Sequence, residues 1–96
     1  MVVCVGADSL RSKNSKPITP AEREHMGMVK SIKCACCDGP GGYAHHIEQG
    51  EHWATVGLCY DCHQGPNGWH GNKSLWRIRK MDELKALNIT LMRIYG

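Results

Sequence analysis

Residues Cys34–His70, CACCDGPGGYAHHIEQGEHWATVGLCYDCHQGPNGWH, hold five of the six cysteines and five of the six histidines in a 96-residue chain, and no Lys or Arg. Two C-x-x-C turns, Cys34–Cys37 and Cys59–Cys62, bracket the adjacent pair His45-His46, and His63 follows the last cysteine directly. A C-x-x-C turn lets both sulfurs reach one ion, and four thiolates from two such turns match a tetrahedral zinc site closed to water. Cys36 competes for a place, but only Cys34 with Cys37 has the two-residue spacing. Cys34, Cys37, Cys59 and Cys62 are therefore the expected ligands of a structural Zn2+.

Inside this frame, Cys34–Gly42 is turn-forming throughout, and Tyr43–Ile47 and Thr55–Leu58 read as two short strands joined by a polar loop, Glu48–Trp53. Neighbours on a strand face opposite sides, so His45 and His46 take different jobs: one can ligate a metal while the other activates a water. The backbone of His63 is fixed by the zinc ligand before it. His70 lies seven residues further on, two turns away in a helix, although Gly65-Pro66-Asn67-Gly68 argues against a continuous one. Plainer roles stay open. His63 could replace a cysteine at the zinc, His70 could pack near Trp69 and Trp76, and His25 could be structural or surface. Trp53, Trp69 and Trp76 suit the core or a cover over the zinc.

Working outward, Thr19-Pro20-Ala21-Glu22 is a helix start: Thr19 caps, Pro20 suits the first helical position and Glu22 completes a capping box. A helix is expected from Pro20 to about Ser31, with Met26 and Val29 at helical spacing and Gly27 costing about 1 kcal/mol relative to Ala. Residues 1–16 read as a loosely held arm with Cys4 as a free thiol. After Asn72, Leu75, Trp76, Ile78, Met81, Leu84, Leu87, Leu91, Ile94 and Tyr95 recur at three- and four-residue steps, an amphipathic helical pattern. Ser74 or Asn72 can cap its start. Asp82 can cap a second helix after a break near Lys80, so one bent helix or two are both compatible.

The chain is short enough to be one domain, has no Phe, and so needs a staple for its small core. Cysteines interleaved with histidines suit metal better than disulfides. The start, MVVCVGADSLRSK, is too weakly apolar for a signal peptide, and no membrane span follows. The expected location is the cytoplasm. The net charge of +3 is unevenly spread: residues 1–33 carry six Lys/Arg against three acids, residues 34–72 none against four, and residues 73–96 six against two. Basic flanks around a ligand-rich middle suit a polyanion lying across a metal centre, or else are ordinary solvated helix faces.

A C-x-x-C turn, a His-His pair ending a strand, then Leu58-Cys59-x-x-Cys62-His63 resembles the HNH nucleases. The wider run from Thr19-Pro-Ala-Glu-Arg-Glu-His-Met through Ala44-His-His-Ile to Cys62-His-Gln-Gly-Pro-Asn-Gly-x-His70-Gly resembles the phage recombination-enhancement (Ref-type) nucleases and their small prophage relatives. The likeness spans about residues 17–87. It implies a small α+β zinc-stabilised domain, residues 17–96, with a ββα-metal (His-Me finger) core, a preceding helix and C-terminal helices. It implies a DNA endonuclease with His45 as metal ligand, His46 as general base, His63 as helix ligand, and His70 as third ligand or phosphate contact, around Mg2+, Mn2+ or Zn2+. HNH proteins usually carry an Asn in the loop ahead of the helix ligand. The corresponding position here is Ala54, so either His52 shares that role or the backbone alone holds the loop.

Phosphate contacts must come from the flanks: Lys73, Arg77 and Lys80 on one helical face, with Arg23, Lys30 and Lys33 as an opposing wall. The implied partner is DNA with weak sequence preference, with RNA an open substrate, a RecA filament an open second partner, and a monomer or weak dimer as the assembly. The competing expectation is a zinc-finger-like binding or adaptor module in which the histidines are inert.

Overall fold

A computed structural model describes residues 17–96 of the chain. The expectations for the 1–16 arm and for Cys4 lie outside the described residues. The remainder is a small α+β domain with a two-stranded sheet and four helices, in the order α1 (Pro20–Ser31), β1 (Tyr43–His46), β2 (Thr55–Leu58), α2 (Tyr60–His63), α3 (Ser74–Ile78) and α4 (Glu83–Tyr95).

Helix α1 starts as its sequence dictates. The Glu22 backbone N–H donates to Thr19 Oγ1 at 3.1 Å, and the Thr19 N–H donates to Glu22 Oε1 at 2.9 Å, with Pro20 opening the helix. It buries His25 and Val29. His25 is thus a core residue, hydrogen-bonded at 2.8 Å to the hydroxyl of Tyr95 at the far end of α4.

The strands pair antiparallel, Tyr43 opposite Leu58 and His46 opposite Thr55. All four β2 residues are buried, because α1 and α4 both pack against that strand. Gly57 makes this possible: a Cβ there would sit 2.7 Å from the Val29 carbonyl oxygen and 3.1 Å from Ile32 Cγ1. Its N–H donates to Thr90 Oγ1 of α4 at 3.2 Å, and its carbonyl accepts from the Ala35 N–H at 2.8 Å. One glycine therefore joins the sheet to helix α4 and to the first C-x-x-C turn.

The C-terminal apolar pattern resolves into two helices. Lys80 adopts a left-handed φ of 53° in the break, and Asp82 caps α4 by accepting from the Lys85 N–H at 2.8 Å. Asn72 serves α3, accepting from the Ser74 N–H at 2.9 Å. The break changes the phase of the apolar stripe. Trp76 and Ala86 are buried, whereas Ile78 and Leu84, on either side of the break, are about three-quarters exposed. Trp53, expected in the core or over the zinc, is half exposed and packs its ring on His25.

Candidate metal centre

Two C-x-x-C turns meet where the first knuckle and the start of α2 touch. Sulfurs of Cys34, Cys37, Cys59 and Cys62 all lie within 4.8 Å of one another. Cys37 and Cys59 are 3.7 Å apart, close to the roughly 3.8 Å expected for two sulfurs each about 2.3 Å from one tetrahedral ion. Backbone donors support the sulfurs: the N–H of Cys37 faces Cys34 Sγ, that of Gly39 faces Cys37 Sγ, and that of Cys62 faces Cys59 Sγ. Burial, followed by the neighbouring Cys34 sulfur, pushes the Cys62 thiol far above its ordinary range. Four thiolates can share this space only with a cation among them. The donor set fits zinc. Cys36 lies outside the cluster, buried in the adjoining apolar core with Val56, Leu58 and Trp76.

The cysteine site is braced from two directions. Trp76 donates its indole N–H to the Cys62 carbonyl at 2.8 Å, and Trp69 packs edge-on against Trp76. From α4, Arg93 donates to the carbonyls of Lys33 and Cys34 and to the Asp38 carboxylate. That guanidinium holds the Asp38 carboxyl below the usual carboxylate range.

Beside this cluster His45, His63 and His70 converge, with donor nitrogens within 4.8 Å of one another. His45 arrives from β1 and is 3 % exposed, His63 is the last residue of α2, and His70 stands on the following loop. That loop is coiled tightly. The Trp69 N–H donates to the Cys62 carbonyl and the His70 N–H to the His63 carbonyl, at 2.8 and 3.0 Å. Gly68 and Gly71 permit it, since a Cβ at either would fall within 2.4 Å of a backbone carbonyl oxygen. A closed loop, not a helix, thus spans the six residues between the two histidines.

Burial, reinforced by His45 and His70, pushes His63 down to about 4, so it is neutral at pH 7 and has a lone pair to offer. Its Nδ1 is buried with no hydrogen-bond partner in the structure. An orphaned buried nitrogen is costly unless something such as a metal ion takes its lone pair. Three convergent imidazoles with such an atom among them fit a divalent ion.

His46, the next residue on β1, is turned away from the triad. Its Nε2 lies 3.0 Å from His52 Nδ1, and burial, followed by the neighbouring His52, His45 and Lys30, lowers its affinity for a proton. The loop carrying His52 is held by backbone bonds, Glu51 N–H to Glu48 O, Ala54 N–H to Glu51 O, and Ile47 N–H to Ala54 O. The loop thus carries both a side-chain contact from His52 to His46 and its own backbone bonds, so the backbone is not alone.

The basic residues lie on and around α1 and α3. Only Arg77 lies within α3; Lys73 precedes it in a left-handed conformation and Lys80 follows it, and the Arg77 N–H donates to the Lys73 carbonyl and the Lys80 N–H to the Arg77 carbonyl, both at 3.0 Å. Lys73 sits over the Trp69 ring, 4.8 Å from its centroid. Arg23, Lys30 and Lys33 are exposed. The charge of Lys30 reaches His46 and that of Lys33 reaches Asp38.

Two features were missed in the sequence. Glu83 of α4 places Oε2 2.7 Å from His45 Nε2. Tyr43 and Tyr60, both exposed, pack edge-on beside the triad, Tyr43 lying 6.1 Å from the His63 ring. No family model matches the chain, and neither curated proteins nor solved structures include a match. Among the described residues no helix is long and apolar enough to cross a membrane.

Proposed function

We propose that this chain is a metal-dependent DNA endonuclease of the HNH type, with hairpin β1–β2 and helix α2 serving as a ββα-metal core. The observation that carries the reading is the placement of His46, a half-buried imidazole backed by a second one, directly beside a residue of the His45–His63–His70 triad. A bound divalent ion would stabilise charge developing on the phosphoryl oxygens and the leaving 3′ oxygen. The chain supplies the rest. With His46 Nε2–H as the donor to His52 Nδ1, the lone pair that takes a proton from the attacking water is on His46 Nδ1. The depressed proton affinity of His46 keeps that lone pair available at neutral pH. Exposed Arg77 and Lys80, Lys73 over Trp69, and Lys30, whose charge reaches His46, supply positive charge for the phosphate backbone.

Plasmid nicking in Mg2+, Mn2+ or Zn2+ tests this. His46→Ala is expected to lower the rate about 10²–10⁴-fold, as loss of a general base does, while retaining its metal. Equal nicking by wild type and His46→Ala overturns the mechanism. Tight DNA binding with no cutting in any of the three ions would instead make this a zinc-finger-like binding module. Repeating the assay with RNA, and with RecA on single-stranded DNA, decides the substrate and that partner.

A further inference from the structure

Glu83 opens α4, immediately after the Asp82 cap, where an acidic residue ordinarily serves only the helix N-terminus. That role requires no partner, and such side chains face solvent. This one turns inward. Its side chain is 24 % exposed, and the carboxylate reaches His45, 38 residues earlier and itself 4 % exposed at the side chain, at 2.7 Å. A neutral imidazole has one N–H and one lone pair, and a carboxylate can only accept. With His45 neutral, the contact places the proton on Nε2 and leaves the lone pair on Nδ1.

We propose that Glu83 is the positioning residue of the histidine metal site, holding His45 in the tautomer and ring orientation that offers Nδ1 to a divalent cation. Carboxylates behind ligating histidines do this work in metal sites generally, and their loss typically costs 10–100-fold in metal affinity, the order of effect expected here. The assignment rests on the metal-binding part of the reading above and not on its substrate. It also makes α4 part of the site: the helix that seals β2 through Thr90 and grips the zinc knuckle through Arg93 holds a metal ligand as well.

The test uses the full chain with zinc in its cysteine site, titrated with Co2+ as the probe ion and followed by visible absorption. Wild type should take up one Co2+ per chain without a thiolate charge-transfer band. Glu83→Gln and Glu83→Ala should bind it about 10–100-fold more weakly, with zinc content unchanged. Long-range 1H–15N spectra before adding Co2+ supply a readout that mere helix capping would not move. His45 should be protonated at Nε2 in wild type and become a tautomer mixture in Glu83→Ala. Wild-type Co2+ affinity in both variants, or an Nδ1-protonated His45 in wild type, overturns the proposal. Abolished binding in Glu83→Gln with the His45 tautomer unchanged also overturns it, since that outcome makes Glu83 a ligand. If wild type binds Co2+ but cuts no DNA, the endonuclease reading falls and Glu83 keeps its role; if wild type takes up no second ion, both fall.

Discussion

His46 and Cys36 show how strongly a single residue's role depends on what lies beside it. The proton affinity of His46 is lowered by burial and by its positive neighbours, so the folded protein favours the neutral ring. The acidic limb of the cleavage pH–rate profile should accordingly fall below pH 6.5, the ordinary histidine value, and a limb above 6.5 would contradict the assignment of His46 as base. Cys36 differs from its neighbours by location alone. It lies outside the four-sulfur cluster, beside Cys62 and buried in the adjoining core with Val56, Leu58 and Trp76, where it behaves as a small hydrophobe rather than a ligand. Cys36→Ser should keep one zinc per chain and cost about 1–3 kcal/mol for burying a hydroxyl, measured by urea unfolding. Cys62→Ser should lose the zinc and the cooperative transition together. The four ligands were legible because a C-x-x-C spacing is local chemistry. Glu83 was not, since nothing near it in the chain points to a histidine 38 residues away, and its capping position hid its second use.

At the scale of elements, the loop between α2 and α3 decides whether there is a histidine triad. Gly68 lies where a Cβ would be 2.4 Å from the Asp61 carbonyl oxygen, a backbone atom that cannot swing aside. Gly68→Ala should therefore shift the loop and weaken Co2+ binding at the histidine site at least tenfold, about 1.4 kcal/mol, while the cysteine site keeps its zinc; isothermal titration against zinc-loaded protein checks this. The start of α1 and both strands were readable in advance, because capping chemistry and the turn-forming residues that bound short strands involve only near neighbours. His25 was not, because its partner Tyr95 sits 70 residues away and a lone histidine on a helix gives no sign of which face is covered. Nor was the outward turn of Ile78 and Leu84, which follows from the left-handed Lys80 between the helices.

For the whole molecule, the core is small and half of it is knuckle. The central cluster is Cys34, Ala35, Cys36, Val56, Leu58, Cys62, Trp76 and Ala86, with no Phe in the chain. Zinc binding of this kind contributes about 10–16 kcal/mol, whereas domains retain only about 5–15 kcal/mol in total. Removing the ion should therefore unfold the protein: a strong chelator at neutral pH should abolish the thermal transition seen by circular dichroism, and readded Zn2+ should restore it. Cys62 and His63 are consecutive residues at the end of α2, one facing each cluster. Their adjacency makes the two ions partners in a thermodynamic cycle. Whatever factor zinc in the cysteine site adds to the affinity of the histidine site, an ion in the histidine site must return to zinc. Scarcity of the structural metal would then lower occupancy of the second site as well, tying activity to zinc supply even if the second ion is magnesium.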